Sequence, residues 1–216
     1  MSEHDSVIEE LFQEEDGLTD KQKKIIIAAV ESFSEKGYAA TSTSEIAKKA
    51  GVAEGTIFRH YKTKKDLLMG IVSPMMAKLI APFVIKDLYK VIDHKYERYE
   101  DFLRAMMENR IAFLKNNMPL LKILIQEIPF HPELKEQFKE HIACKVFERF
   151  VNLVEFYQKK GQIIDIPAYS AVRMTFTSIF GFLITRYLIL PEAEWNDEEE
   201  IELTIQFIMH GLSAKS

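Results

Sequence analysis

The chain has 216 residues, 47% of them hydrophobic and 28% charged, with a net charge of −5. That composition excludes a disordered chain and supplies enough apolar material for a sizeable core; a single cysteine, Cys144, excludes an internal disulfide framework. Charge is unevenly spread, with −7 over residues 1–16, +4 over 17–70 and −2 over 71–216, which predicts a local basic surface rather than a basic protein.

In chain order, residues 1–17 form an acidic extension. Helical spacing is visible at Val7–Phe12, but there is no basic n-region, apolar h-region or cleavage site, so no secretory signal is expected. Alternation of period 2 is not sustained anywhere and spacing near 3.6 dominates, which predicts an all-α fold of about nine helices. Thr19 with Gln22 forms a capping box, Ile25, Ile26, Ala29 and Phe33 make the apolar stripe of the first helix, and Gly37 ends it. Ser42 with Glu45 is a second capping box. Ile46, Ala47 and Ala50 form its inner face, and Gly51 stops that helix after about two turns. A third short helix is expected from Ala53 to Tyr61. Thr63 with Asp66 caps a fourth, which Pro74 and Pro82 bend or end.

Five longer helices are expected at about 95–116, 118–127, 132–160, 168–190 and 197–213. Pro119 and Pro132 open helices, Gly161 is a stop, Pro167 precedes a start and Pro191 ends a helix. Asp197–Glu200 place negative charge on the first turn of the last helix, where its dipole favours it. The longest apolar stretch is Met174–Leu190. Its uncharged part, Met174–Thr185, has 12 residues, short of the ~20 a membrane span needs. A soluble, cytoplasmic protein with no membrane partner is expected. The predicted domains are the extension 1–17, a helix-turn-helix domain 18–66 and a larger helical domain 67–216.

The stretch 41–68 carries the chemistry. Its two short helices meet at Gly51-Val52, a loop too short for antiparallel packing, so they must cross steeply. Ile46, Ala47 and Ala50 then meet Val52, Ile57 and Tyr61, and the small alanines permit close approach. The opposite face of the second helix shows Gly55, Thr56, Arg59 and His60, none of which the core needs. A short helix of this kind enters a major groove ~12 Å wide. Thr43 and Ser44, at an exposed helix N-terminus, suit phosphate oxygens. Lys62, Lys64 and Lys65 add electrostatic support. The plainer account is a helix pair inside an ordinary bundle, with Arg59 and His60 solvated.

Residues 22–68 resemble the DNA-binding domain of the TetR family of bacterial transcriptional regulators. The matching positions are Phe33, Gly37-Tyr38, Thr41-Ser42, Ile46-Ala47, Ala50-Gly51-Val52, Gly55-Thr56-Ile57-Phe58, His60-Tyr61, Lys64 and Asp66-Leu67. The resemblance implies DNA contact through Thr43, Ser44, Ala53, Glu54, Gly55, Thr56, Phe58, Arg59, His60 and Lys64. Three positions depart from the family's pattern. Ala53 replaces a frequent Ser and so lacks a side-chain cap. Glu54 replaces a frequent Lys. Phe58 replaces a Tyr whose hydroxyl typically touches phosphate. The operator's sequence does not follow from the resemblance.

In this family the remaining helices form a ligand-binding and dimerisation domain. Here they carry stripes of Phe and Met whose commonest use is core packing. A pocket, where that core stays open, is expected among Phe102, Met106, Arg110, Leu121, Leu124, Phe147, Phe150, Phe176 and Phe180. Its apolar walls suit a small lipophilic effector. The last two helices are apolar on too many faces for one-sided burial, which predicts a homodimer with Gly181, Leu188, Ile205 and Met209 in a four-helix interface. No Glu-x-x-His, Gly-x-Ser-x-Gly, His-x-x-x-His or phosphate-binding Gly-rich loop occurs, so no catalytic residue, metal or cofactor is expected. Cys144, beside Lys145, reads as an inert small hydrophobe of a core-facing run rather than a reactive thiol. The expected function is a dimeric repressor, released from a palindromic double-stranded DNA operator by its effector. The alternative is a helical protein-interaction module with a vestigial DNA-binding domain.

Overall fold

The computed structural model describes residues 18–74 and 81–212; the acidic extension, with the helix expected at Val7–Phe12, lies outside them. The described residues form ten α-helices and no strand. They are α1 Asp20–Lys36, α2 Thr43–Ala50, α3 Glu54–His60, α4 Lys64–Pro74, α5 Ala81–Ile92, α6 Tyr99–Glu127, α7 Pro132–Phe138, α8 Cys144–Lys159, α9 Ala168–Ile184 and α10 Asp197–Leu212.

Two compact units result, one built from Met1–Val84 and Leu114–Ile142, the other from Ile85–Phe113 and Ala143–Ser216. The sequence-based boundary at 66/67 follows the chain, whereas packing brings the end of α6 and α7 to the N-terminal helices. Lys65 pairs with Glu133 at 2.7 Å, and the Tyr38 ring meets His131 edge-on at 5.4 Å.

The first unit is built on its caps. Both predicted capping boxes are present, Thr19 with Gln22 and Ser42 with Glu45. The Lys36 ammonium and the Ser42 donors hold the Glu45 carboxyl down to about 2. Ile25, Ile26, Ala29 and Phe33 of α1 are buried together with Ile46, Ala47 and Ala50 of α2 and Ile57 of α3. Thr41 is buried and its hydroxyl contacts the carbonyls of Ser32 and Gly37, tying the α1–α2 turn to α1.

Several helix boundaries differ from expectation. The helices expected at 95–116 and 118–127 run on as α6 across a kink, where Asn117 is non-helical with φ −130°. Pro119 lacks the N–H that would continue the ladder there. The helix expected over 132–160 is interrupted by a π turn, Lys139–Ala143, and α9 ends in another, Thr185–Ile189. Pro82 does not end a helix; it sits in the first turn of α5, where a missing N–H costs nothing. Cys144 is exposed rather than core-facing, because the π turn advances the register and Ile142 and Val146 take the buried positions.

The second unit packs around a row of rings. Tyr99 stacks on Phe102 at 5.7 Å, Phe102 meets Phe150 at 5.9 Å, and Phe150 meets Phe176 at 4.7 Å. This row links α6, α8 and α9. Burial pushes the Tyr99 hydroxyl up to about 12, and its bond to Thr175 at 3.2 Å keeps it satisfied. Asp197 accepts from both Arg186 and Tyr187, fastening the start of α10 to the π turn after α9.

Candidate nucleic-acid interface

The local fold of α2 and α3 follows from one glycine. Gly51 adopts φ 67°, ψ 33°, a left-handed conformation that an L side chain resists. Its N–H bonds to the Lys48 carbonyl at 3.2 Å, and Val52 N–H bonds to the Ala47 carbonyl at 3.0 Å. These two bonds close α2 as a Schellman motif and turn the chain sharply into α3. Ala53 heads α3 without a side-chain cap. Ile57 is its only fully buried residue.

Everything else on α3 is outward or half-outward. Glu54, Gly55, Phe58, Arg59 and His60 are exposed and Thr56 is half-buried. Phe58 is 45% exposed, the one large apolar side chain on the outward side of α3. The candidates Ser44 and Ala53 are exposed as well, and Lys62 follows them. Such a helix, anchored by one aliphatic residue and presenting the rest to solvent, suits insertion into a major groove.

Two predicted contacts take other roles. Lys64 does not face outward: its ammonium donates to the carbonyls of Tyr38, Ala39 and Thr41 at 2.8, 3.3 and 2.8 Å, and it lies 4.4 Å from the Tyr38 ring centre. All three of its protons are engaged, so it braces the α1–α2 turn instead of meeting phosphate. The Thr43 hydroxyl donates to a Glu54 carboxylate oxygen at 2.7 Å and is likewise committed inside the protein. Spacing alone gave no sign of either partner.

Of the predicted effector residues, the second unit brings together Phe102, Met106, Phe147, Phe150 and Phe176. Phe102, Met106 and Phe150 are buried, while Phe147 and Phe176 are half-buried, their rings 6.4 Å apart. Arg110 donates to Asn109 and lies over the Phe113 ring. Leu121 and Leu124 belong to the first unit. Phe180 is 54% exposed and lies outside the ring cluster, a correction that α9's facing explains. A cleft of about 390 Å³ lies elsewhere in this unit, lined by Arg98, Asp101, Arg104 and Glu202 together with Ile205, Met209 and His210.

Of the predicted interface residues, Gly181 is exposed, and a Cβ added there would meet nothing within 4 Å. Leu188 and Met209 are half-buried. Ile205 is only 4% exposed and lies in the chain's own core, so it is not a surface residue. Over residues 168–212 the exposed large apolar residues are instead Tyr169, Met174, Phe180, Ile189, Leu190, Leu203 and Phe207. Residues 168–189 are also long and apolar enough to cross a membrane by length and composition alone, with mean hydropathy 1.2 over the best window. The buried core helix of a soluble protein meets the same two criteria, so length and composition do not distinguish the two cases.

These features define a helix-turn-helix unit followed by a helical second unit. The sequence pattern described as "Bacterial regulatory proteins, tetR family" matches residues 25–70. The uncharacterized HTH-type transcriptional regulator YvkB of Bacillus subtilis is 42% identical over 200 residues, covering 89% of this chain and 97% of that protein. The chain belongs to the TetR family of DNA-binding transcriptional regulators. The fatty acid metabolism regulator protein of B. subtilis is 45% identical over 60 residues, 28% of this chain and 31% of its own length. The structure of the regulator FadR from B. subtilis in complex with stearoyl-CoA shares the fold, with a TM-score of 0.63 and 22% identity over 87% of this chain and 97% of that one. The relatives are regulators, and no enzymatic family is indicated.

Proposed function

We propose that the protein is a cytoplasmic homodimeric repressor that leaves a palindromic operator when a small lipophilic effector binds. The observation that carries this reading is α3 itself, anchored by Ile57 alone with Gly55, Thr56, Phe58, Arg59 and His60 turned to the surface. Ser44 and Lys62 serve as phosphate donors beside it. An acyl chain is the favoured effector, because the second unit's interior is a row of aromatic rings and similarity extends to fatty acid regulators. Its site centres on Phe102, Met106, Phe147, Phe150 and Phe176. Two copies join through the exposed side of α9 and α10 around Gly181, which sets the half-site spacing at about 34–36 Å. Effector binding shifts the population toward a spacing that no longer fits the duplex.

The test is a gel-shift titration of the full chain on the DNA upstream of its own coding sequence, with long-chain acyl-CoA added in a second series. Specific retention that acyl-CoA reverses is expected. Retention unchanged by acyl-CoA rejects the effector class, and retention no better than on random duplex rejects the operator reading in favour of a protein-interaction module.

A further inference from the structure

We infer that Glu54 reads a base: its carboxylate accepts a hydrogen bond from a cytosine amino group in each half-site, and Thr43 holds it in position. The inference rests on the DNA-binding reading of α3 and adds a specificity to it.

The geometry begins with the bond between the two helices. Thr43 Oγ1 donates to Glu54 Oε1 at 2.7 Å, which fixes an otherwise flexible side chain on an exposed surface. A carboxylate has about four lone-pair sites, so this bond leaves the other oxygen free to accept. Glu54 forms no ion pair among the described residues. Other carboxylates of the same unit do: Glu31 and Glu35 hold Lys49, Glu45 holds Lys36, and Glu133 holds Lys65. The approach is also open, because Gly55 beside it is exposed and a Cβ added there would meet nothing within 4 Å.

Electrostatics decides what such a group can meet. A fixed, unneutralised carboxylate repels phosphate, so it does not belong on the duplex backbone. In the major groove, by contrast, the cytosine N4 amine is a donor that Glu accepts from, whereas guanine offers acceptors at N7 and O6 and repels it. Thr43 is a positioning residue here, since its proton goes to Glu54 and not to DNA.

The experiment is selection of bound duplexes from a random pool by the full-length protein, for wild type, Glu54→Ala, Glu54→Gln and Thr43→Val, with thermal unfolding of each. Wild type is expected to prefer cytosine at one position per half-site by about tenfold. Glu54→Ala should level that position alone. Glu54→Gln should move it toward adenine, whose N6 and N7 a Gln amide matches. Thr43→Val should weaken the same preference without moving any other. If Glu54→Ala instead changes affinity equally on all sequences, Glu54 acts only as a brace or a repulsive charge and the inference fails. If wild type selects no sequence at all, the operator reading fails with it.

Discussion

The ammonium of Lys64 has three protons and three carbonyl acceptors, those of Tyr38, Ala39 and Thr41. Bonds to a charged donor contribute about 1.5–3 kcal/mol, and carbonyls left without one cost further. Lys64→Met should therefore lower unfolding free energy by about 1–3 kcal/mol, read from urea midpoints. The salt dependence of DNA binding should barely change, because no phosphate charge is lost. Lys62 is exposed and appears in no ion pair among the described residues; Lys62→Ala should leave stability alone and reduce the salt slope by about 0.9. A slope that falls in Lys64→Met and not in Lys62→Ala would return Lys64 to the DNA surface. The two lysines are indistinguishable in sequence, since the acceptors of Lys64 are backbone groups more than twenty residues away.

At the scale of elements, the helix-turn-helix was legible because its signals are local. The boxes Thr19–Gln22 and Ser42–Glu45, the left-handed Gly51 and the buried Ile46, Ala47, Ala50 and Ile57 all act within a few residues. The π turns at Lys139–Ala143 and Thr185–Ile189 carry no such signal, since an extra residue in a helix is selected by the packing on either side. Gly70 was equally silent. It sits in α4, and a Cβ there would come within 2.6 Å of Tyr61 Cε1, at the end of α3. Helix propensity favours Ala over Gly by about 1 kcal/mol, so a Gly70→Ala variant has a compensating gain. Its ring contact must still give way, displacing Tyr61 and the end of the recognition helix. Stability should change by less than about 1 kcal/mol while DNA affinity drops several-fold. Thermal unfolding beside a gel shift separates the two, and unchanged affinity would show that the Tyr61 ring moves freely.

For the whole molecule, sequence indicated surplus apolar surface on the last two helices but not which residues carry it. Periodicity places side chains on a face; it does not say which face the chain's own core takes. Ile205 went inward, and Leu203 and Phe207 on the same helix, at 51% and 73% exposed, did not. Phe180 is outward beside Gly181 on α9. Water contact with so many large apolar groups is unfavourable at about 25 cal/mol per Å², and the proposed second copy, related by a two-fold axis, would remove it. Phe207→Glu combined with Phe180→Glu would place four carboxylates in that symmetric interface. The monomer should keep its helicity and a cooperative unfolding transition, because neither ring belongs to its core, while its midpoint falls by the stability that the lost interface supplied. Sedimentation equilibrium should show a monomer, and operator affinity should fall by about 10²-fold or more, since two linked recognition helices bind far better than one. A double variant that stays dimeric would move the interface off this face. One that becomes monomeric yet binds the operator normally would mean that a single α3 suffices, which no palindromic reading survives.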